Sequence, residues 1–302
     1  MIVSTPRAPI HRPRIRLPLV FLLAALACVG AGPVGAQVVQ SERGRVSQTI
    51  DGTTISIDYG RPRMKGRGEE LTDVAWVGDH RWTPGADWAT TITANRDFDL
   101  NGHRVGAGTW TVFIDLEPDA WTLLLDPADS VYHTEPPPDR EGQIRFEVEP
   151  RKGPFIETLM FWIPETRMSG FDLLLSWGRT EIPFEVRVDP TFETTVDREA
   201  GDALLGEYTF MWVGEPDTAV PFRVFWSGEH LDVESTDVDT GDAFHGRFLP
   251  RGADFYWLGE VRDGHVFDIE VDILYEVVRD DGGRAVGLDA RWADDSVIAT
   301  VR

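Results

Sequence analysis

Strict alternation of apolar and polar residues constrains this chain more than any other feature. Phe267, Ile269, Val271 and Ile273 alternate with Asp268, Glu270 and Asp272, and Ile144, Phe146 and Val148 alternate with Arg145, Glu147 and Glu149. A period of two is that of a strand with one buried and one wet face. Short runs of this kind recur along the chain, and turn chemistry separates them. Thr53, Ile55, Ile57 and Tyr59 would share one face of a hairpin closed by Asp51-Gly52, while Thr54, Ser56 and Asp58 take the other. Further strands are expected at 89–94, 109–115, 121–126, 157–163, 171–177 and 181–188, with Asn101-Gly102 and Gly106-Ala107-Gly108 as turns. Trp110, Trp121 and Trp177 are the expected core aromatics. Between Asp189 and Gly206 the alternation lapses, and Asp197 to Leu205 is the one short helix the pattern supports. Strands then resume at 207–213, 220–226, 230–235, 243–249, 254–260, 266–278, 285–292 and 297–301. The expected fold is all-β: an antiparallel β-sandwich over 37–190, then a small up-and-down β-barrel or half-barrel over 200–302, because closure removes sticky edges.

Residues 1–36 carry Arg7, Arg12, Arg14 and Arg16 without an acid, then the apolar run Leu17 to Val29, then Val34-Gly35-Ala36. This is the pattern of a cleavable signal peptide. The apolar run is short for a membrane span, which needs about 20 residues, so no span is expected after cleavage and the location is periplasmic or secreted. Cys28, the single cysteine, offers a lipid-anchored alternative. Cleavage after Ala36 would remove that thiol, and with it disulfides and thiol catalysis. It would also take the formal charge from −22 to −26 by removing four arginines. A field of that sign repels phosphate backbones, so nucleic acid is excluded as a partner.

Catalytic signatures do not emerge. No GxSxG, HExxH, phosphate loop or paired-cysteine motif occurs, no cofactor motif is present, and the histidines never fall in a ligand spacing on one strand. Asp237, Asp239 and Asp242, around Gly241, are weak calcium candidates, against which stands a plain acidic hairpin turn. Glu135-Pro136-Pro137-Pro138-Asp139 reads as a stiff exposed loop.

Two clusters remain. Arg61-Pro62-Arg63-Met64-Lys65-Gly66-Arg67 is basic in an acidic chain and holds one of only two lysines. It could wall an anionic ligand, or its cations could pair internally. Trp82, Pro84, Gly85, Asp87 and Trp88 crowd seven residues ahead of a strand, more bulk than a turn needs. Arg61, Lys65, Arg67, Trp82 and Asp87 are therefore the candidate ligand residues. Arg61 and Asp87 are expected to meet as an ion pair beside Trp82.

These motifs carry a resemblance. Tyr59-Gly60-Arg61-Pro62, Lys65-Gly66-Arg67, Trp82, Gly85-Ala86-Asp87, Gly106-Ala107-Gly108-Thr109-Trp110, Trp121-Thr122 and Trp177-Gly178 come in the order and spacing of the secreted bacterial family called domain of unknown function 2911, over about 44–188. Where that family typically reads Trp-Arg-Thr-Gly-Ala-Asn, this chain has Trp82-Thr83-Pro84-Gly85-Ala86-Asp87, losing an arginine and turning an amide into an acid. The resemblance implies export and a β fold and names no reaction. Leu204-Leu205-Gly206-Glu207-Tyr208-Thr209 and the following meander resemble small lipocalin-like β domains. The function expected is a non-catalytic binding or envelope-associated module, its partner a small molecule or envelope component. The alternative is an extracytoplasmic hydrolase acting on a polymer or a small anion.

Overall fold

The computed structural model describes residues 41–74, 81–128 and 130–302, so the signal peptide expected over 1–36 lies outside the described residues. The chain is almost wholly β. The first eleven strands are β1 (Arg43–Ile50), β2 (Thr53–Gly60), β3 (Arg81–Trp82), β4 (Thr91–Ala94), β5 (Phe98–Leu100), β6 (His103–Val105), β7 (Gly108–Leu116), β8 (Trp121–Asp126), β9 (Ile144–Val148), β10 (Arg151–Arg167) and β11 (Gly170–Val188). One sheet runs β1-β2-β4-β7-β8-β9, with β3 added to β7, and the other runs β10-β11-β5-β6. Their inner faces make one core in which Ile55, Ile57, Ile92 and Val112 face Phe161, Leu173 and Phe184. This is the expected sandwich.

Local chemistry fixes the register. Asp51 and Gly52 both take positive φ, as a two-residue type I′ turn demands, and Ile50 pairs with Thr53. The β5–β6 turn repeats the device with Asn101 and Gly102. There the Asn101 amide donates to the Glu185 carbonyl and its side-chain oxygen accepts from the Glu185 amide, which stitches the hairpin to β11. The expected strands at 171–177 and 181–188 are one continuous strand. Gly178, at φ +61, lets it run on, and a Cβ there would lie 2.3 Å from the Glu69 carbonyl oxygen. Trp177 is fully in the core, whereas Trp110 and Trp121 are only half-buried against it.

The prolines of 136–138 do more than stiffen an exposed loop. Pro137 is buried, and its carbonyl accepts from Arg81 Nη1 at 2.6 Å. Arg81 also holds Asp115, its cross-strand neighbour on β7, at 2.8 Å, and Asp139 at 2.7 Å. Arg140 and Gln143 close on the buried Asp126.

A short helix, α1 (Arg198–Asp202), follows the sandwich and is capped by Asp197, whose carboxylate accepts from the Ala200 amide. The remaining strands are β12 (Gly206–Trp212), β13 (Val220–Ser227), β14 (His230–Thr236), β15 (Ala243–Pro250), β16 (Phe255–Arg262), β17 (His265–Ile269), β18 (Ile273–Arg279), β19 (Ala285–Trp292) and β20 (Val297–Val301). They meander in sequence order, and β12–β20 and β15–β16 pairing closes an eight-stranded barrel. Phe210, Phe222, Phe248 and Tyr275 fill it. The expected strand 266–278 is broken in two. Ile273 N–H donates to the Glu270 carbonyl, a turn that leaves Val271 exposed and frees β17 from the barrel wall.

That freed strand meets the sandwich. Met168, at the β10–β11 turn, donates its N–H to the Phe267 carbonyl, and Met168 and Phe192 pack on Leu249, Val266 and Ile269. On the same outer wall Arg247 binds Asp232 through two nitrogens, at 2.7 and 3.0 Å, with both side chains buried. The segment joining the two parts is tied down as well: Thr191 bonds Asp51, and His230 bonds the Thr194 carbonyl.

Candidate functional site

The basic loop leaves β2 and runs along the outer edge of β10, where Arg63 and Thr158 form an antiparallel bridge. Backbone bonds fix its path: Leu159 N–H donates to the Pro62 carbonyl at 2.9 Å and Met64 N–H to the Glu157 carbonyl at 2.8 Å. Met64 and Leu71 are its buried anchors. Between them Lys65 (φ +53) and Gly66 (φ +69) form a tight turn closed by Arg67 N–H on the Met64 carbonyl. Lysine is disfavoured at positive φ, so this turn holds an exposed cation where asparagine or glycine would fit more easily.

The cations divide in what they touch. Arg61 is half-buried, with Nε donating to the Leu159 carbonyl at 3.3 Å. Arg67 donates Nε to the Met64 carbonyl and Nη2 to the Arg63 carbonyl, and its guanidinium lies 5.9 Å from the Trp177 ring centroid. Trp82 stacks parallel to Trp177 at 6.2 Å. A layered arrangement of Arg67, Trp177 and Trp82 results. The Trp177 indole N–H within it is buried and has no partner among the described residues. None of Arg61, Arg63, Lys65 and Arg67 takes part in an ion pair among the described residues. The one carboxylate on the turn, that of Glu157, accepts from the Lys65 backbone N–H rather than from a side chain. Internal pairing with carboxylates, the plain expectation for these arginines, is therefore not found among the described residues.

The loop lies within a segment that has known kin. Residues 41–186 match the model of the family described as "Protein of unknown function (DUF2911)". This part of the chain belongs to that family. No curated protein and no solved structure matches the chain. The DUF2911 segment takes in the sandwich almost to the end of β11, and with it all five candidate ligand residues.

Within that segment Arg61 and Asp87 do not form the expected ion pair. Their loops do meet, but through backbone: a Cβ on Gly60 would lie 2.3 Å from the Ala86 oxygen. Arg61 runs toward β10, where its Nε meets the Leu159 carbonyl, and no side-chain bond joins it to Asp87. Asp87 has φ +65, and its carbonyl accepts from both the backbone N–H and the Nδ1 of His133, at 2.9 and 3.0 Å. Its carboxylate has no hydrogen-bond partner among the described residues. Trp82 lies with Arg67 rather than with Asp87, so the five candidates fall into two groups.

Two features of the surface escaped the sequence. Trp88, beside Asp87, stands against Tyr132, 44 positions downstream, and the Tyr132 ring in turn packs on His133. The second is a cleft where β10–β11 faces the β16–β17 hairpin, lined by Arg167, Asp172, Glu185, Arg262 and His265. Its charges are largely spent on one another, since Arg167 pairs with Asp172 and Arg187 with Glu185. Burial and the neighbouring Arg187 hold the His265 imidazole below its ordinary pKa.

The acidic turn is a turn. The Asp237 carboxylate accepts from the Asp239 and Thr240 amides, and Gly241 (φ +77) donates to the Asp237 carbonyl. Those bonds hold the carboxyl of Asp237 below its usual range and direct it at its own backbone. Asp237, Asp239 and Asp242 do not converge, and among the described residues no group of His, Cys, Asp or Glu is placed to hold a metal. No helix among them is long and apolar enough to cross a membrane.

Proposed function

We propose that the protein is an exported, non-catalytic binding module of the cell envelope, cleaved after Ala36, with Cys28 lipidation as the alternative anchor. In this reading 37–190 is the ligand-binding domain and 200–302 an appended lipocalin-like barrel that folds on its own. The ligand is a small anion or an anionic envelope component, taken by Arg61, Arg63, Lys65 and Arg67 beside Trp82. One observation carries the reading: four cations in seven residues without an ion pair among the described residues, in a chain of formal charge −22. Planar guanidinium groups suit carboxylate and phosphate oxygens, and the turn that displays Lys65 is anchored on both sides.

Calorimetric titration of the mature chain with inorganic phosphate, citrate and a poly-glutamate peptide tests it. Binding that weakens with added salt and falls about tenfold in the Arg63→Ala, Lys65→Ala double variant supports the loop as the site, a loss of about 1.4 kcal/mol. If all three probes fail to bind, or bind the double variant as well as the parent, the reading is wrong.

A further inference from the structure

We infer that Trp88 and Tyr132 form a platform for a neutral pyranose, separate from the anion-binding loop and independent of that reading. Trp88 is 56% exposed and Tyr132 37%. The rings stand 5.6 Å apart with planes at 86°, so one offers a face as floor and the other stands as a wall. Large aromatic side chains usually contribute most by burial, and two left in solvent side by side call for an occupant.

The pair is held still. Trp88 and Tyr132 face each other across an isolated β-bridge, flanked by Ala89 N–H on the Val131 carbonyl and His133 N–H on the Asp87 carbonyl, each at 2.9 Å. Arg43 Nη1 donates to the Trp88 carbonyl at 2.8 Å, and Arg43 is itself paired with Asp58. A fixed platform orders little on binding, which favours a weakly held ligand such as a sugar.

The rim decides the chemistry. A carbonyl can only accept, so the bond from His133 Nδ1 to the Asp87 carbonyl places the proton on Nδ1 and leaves Nε2 of the neutral ring as an acceptor. The Asp87 carboxylate, without a partner among the described residues, is acceptor-only when ionised. Acceptors on the residues next in sequence to each ring of this aromatic corner suit a ligand with an apolar ring face and several hydroxyl donors. They repel carboxylates and phosphates, which sets this surface apart from the basic loop. An anionic lipid surface would meet the same carboxylate. A stable protein partner needs about 800 Å² on each side, far more than two side chains framed by the charged residues Arg43, Asp58 and Glu135 offer.

The experiment is a titration of the mature chain with cellohexaose, laminarihexaose, chitohexaose and oligogalacturonate, followed by calorimetry and by the indole N–H signals in NMR. At least one neutral hexasaccharide is expected to bind and to shift a single indole signal, the one missing in Trp88→Ala. The affinity should fall about tenfold or more in Trp88→Ala and in Tyr132→Ala, and much less in Trp88→Phe, which keeps a ring. Oligogalacturonate should bind more weakly than the neutral sugars at this surface. Unfolding midpoints of the variants, expected to match the parent because both rings are exposed, separate lost binding from lost folding. The inference is overturned if no neutral saccharide binds up to about 10 mM, if Trp88→Ala binds as the parent does, or if the rings prove to be covered by a second protein chain.

Discussion

Two arginine-bearing regions of the sandwich use the same side chain to opposite ends. Around the Pro136–Pro138 strap, Arg81 spends its donors on Asp115, Asp139 and the Pro137 carbonyl, Arg145 adds a second bond to Asp139, and Arg140 clamps Asp126. In the loop from Arg61 to Arg67 the cations touch carbonyls or solvent, and no carboxylate among the described residues answers them. Both regions are built from the same residue types at comparable density. What separates them is pairing: strap arginines bind one part of the chain to another, whereas the loop's cations have no carboxylate partner among the described residues. A cluster of cations in a sequence is thus ambiguous until its partners are known.

Three measurements would break or sharpen this contrast. The largest effect is expected at Arg81, whose removal strands Asp115 in a half-buried setting and releases Asp139 and Pro137. Arg81→Ala should cost about 1 to 3 kcal/mol in urea unfolding, and a loss under about 0.5 kcal/mol would dissolve the distinction. Next is the acid limb at Asp126. Burial alone would raise its carboxyl, but Arg140, Gln143 and the Ala128 N–H together hold it below the ordinary 3.8. A group depressed in the folded state contributes stability above its unfolded pKa and loses it as pH falls through the folded value. The urea midpoint of the parent should therefore drop below about pH 4, and Asp126→Asn should be less stable at neutral pH, with the gap closing in acid. A gap constant with pH would show that the lost clamp is not electrostatic. The smallest effect is expected in the loop, where Arg63→Ala and Lys65→Ala should each stay within about 0.5 kcal/mol of the parent. Lys65→Gly should be neutral or slightly stabilising, since glycine accepts the positive φ. A loss above about 1 kcal/mol at either cation would mean that they are structural after all.

Most of the fold was legible because strand alternation and two-residue turns are local signals. Asp51-Gly52 fixed one hairpin by its turn type, and the barrel meander followed strand by strand. Alternation fails where a turn keeps the same pattern: Glu270-Val271-Asp272 continues the apolar–polar rhythm of Phe267 and Ile269, so the bend between β17 and β18 left no trace. It failed the other way at Gly178, where a glycine inside one strand looked like the end of it. At the site, the sequence picked out Trp82, Asp87 and the cations as residues but not their directions. Gly60 and Ala86 touch, as the Arg61–Asp87 expectation required, yet no side-chain bond joins the two residues beyond them. Tyr132 and His133 lie 44 and 45 positions from Trp88, and no local periodicity announces a pairing across that distance.

The division of one edge of β16 between β17 and β18 gives the barrel a predetermined place to open. Only Phe255 and Tyr256 of β16 pair with β18, while Gly259 to Arg262 pair with β17. Along β14 and β15, by contrast, five consecutive pairs run from Asp232–Arg247 to Thr236–Ala243. Local unfolding takes the path with the fewest bonds to break. Solvent would enter the barrel at that short seam first, and the amide protons of Val277 and its neighbours would exchange there while those of β13 and β14 are still protected. The strand that docks on the sandwich thus takes up the edge of β16 that would otherwise have lengthened this seam, and so bears on how readily the barrel admits water.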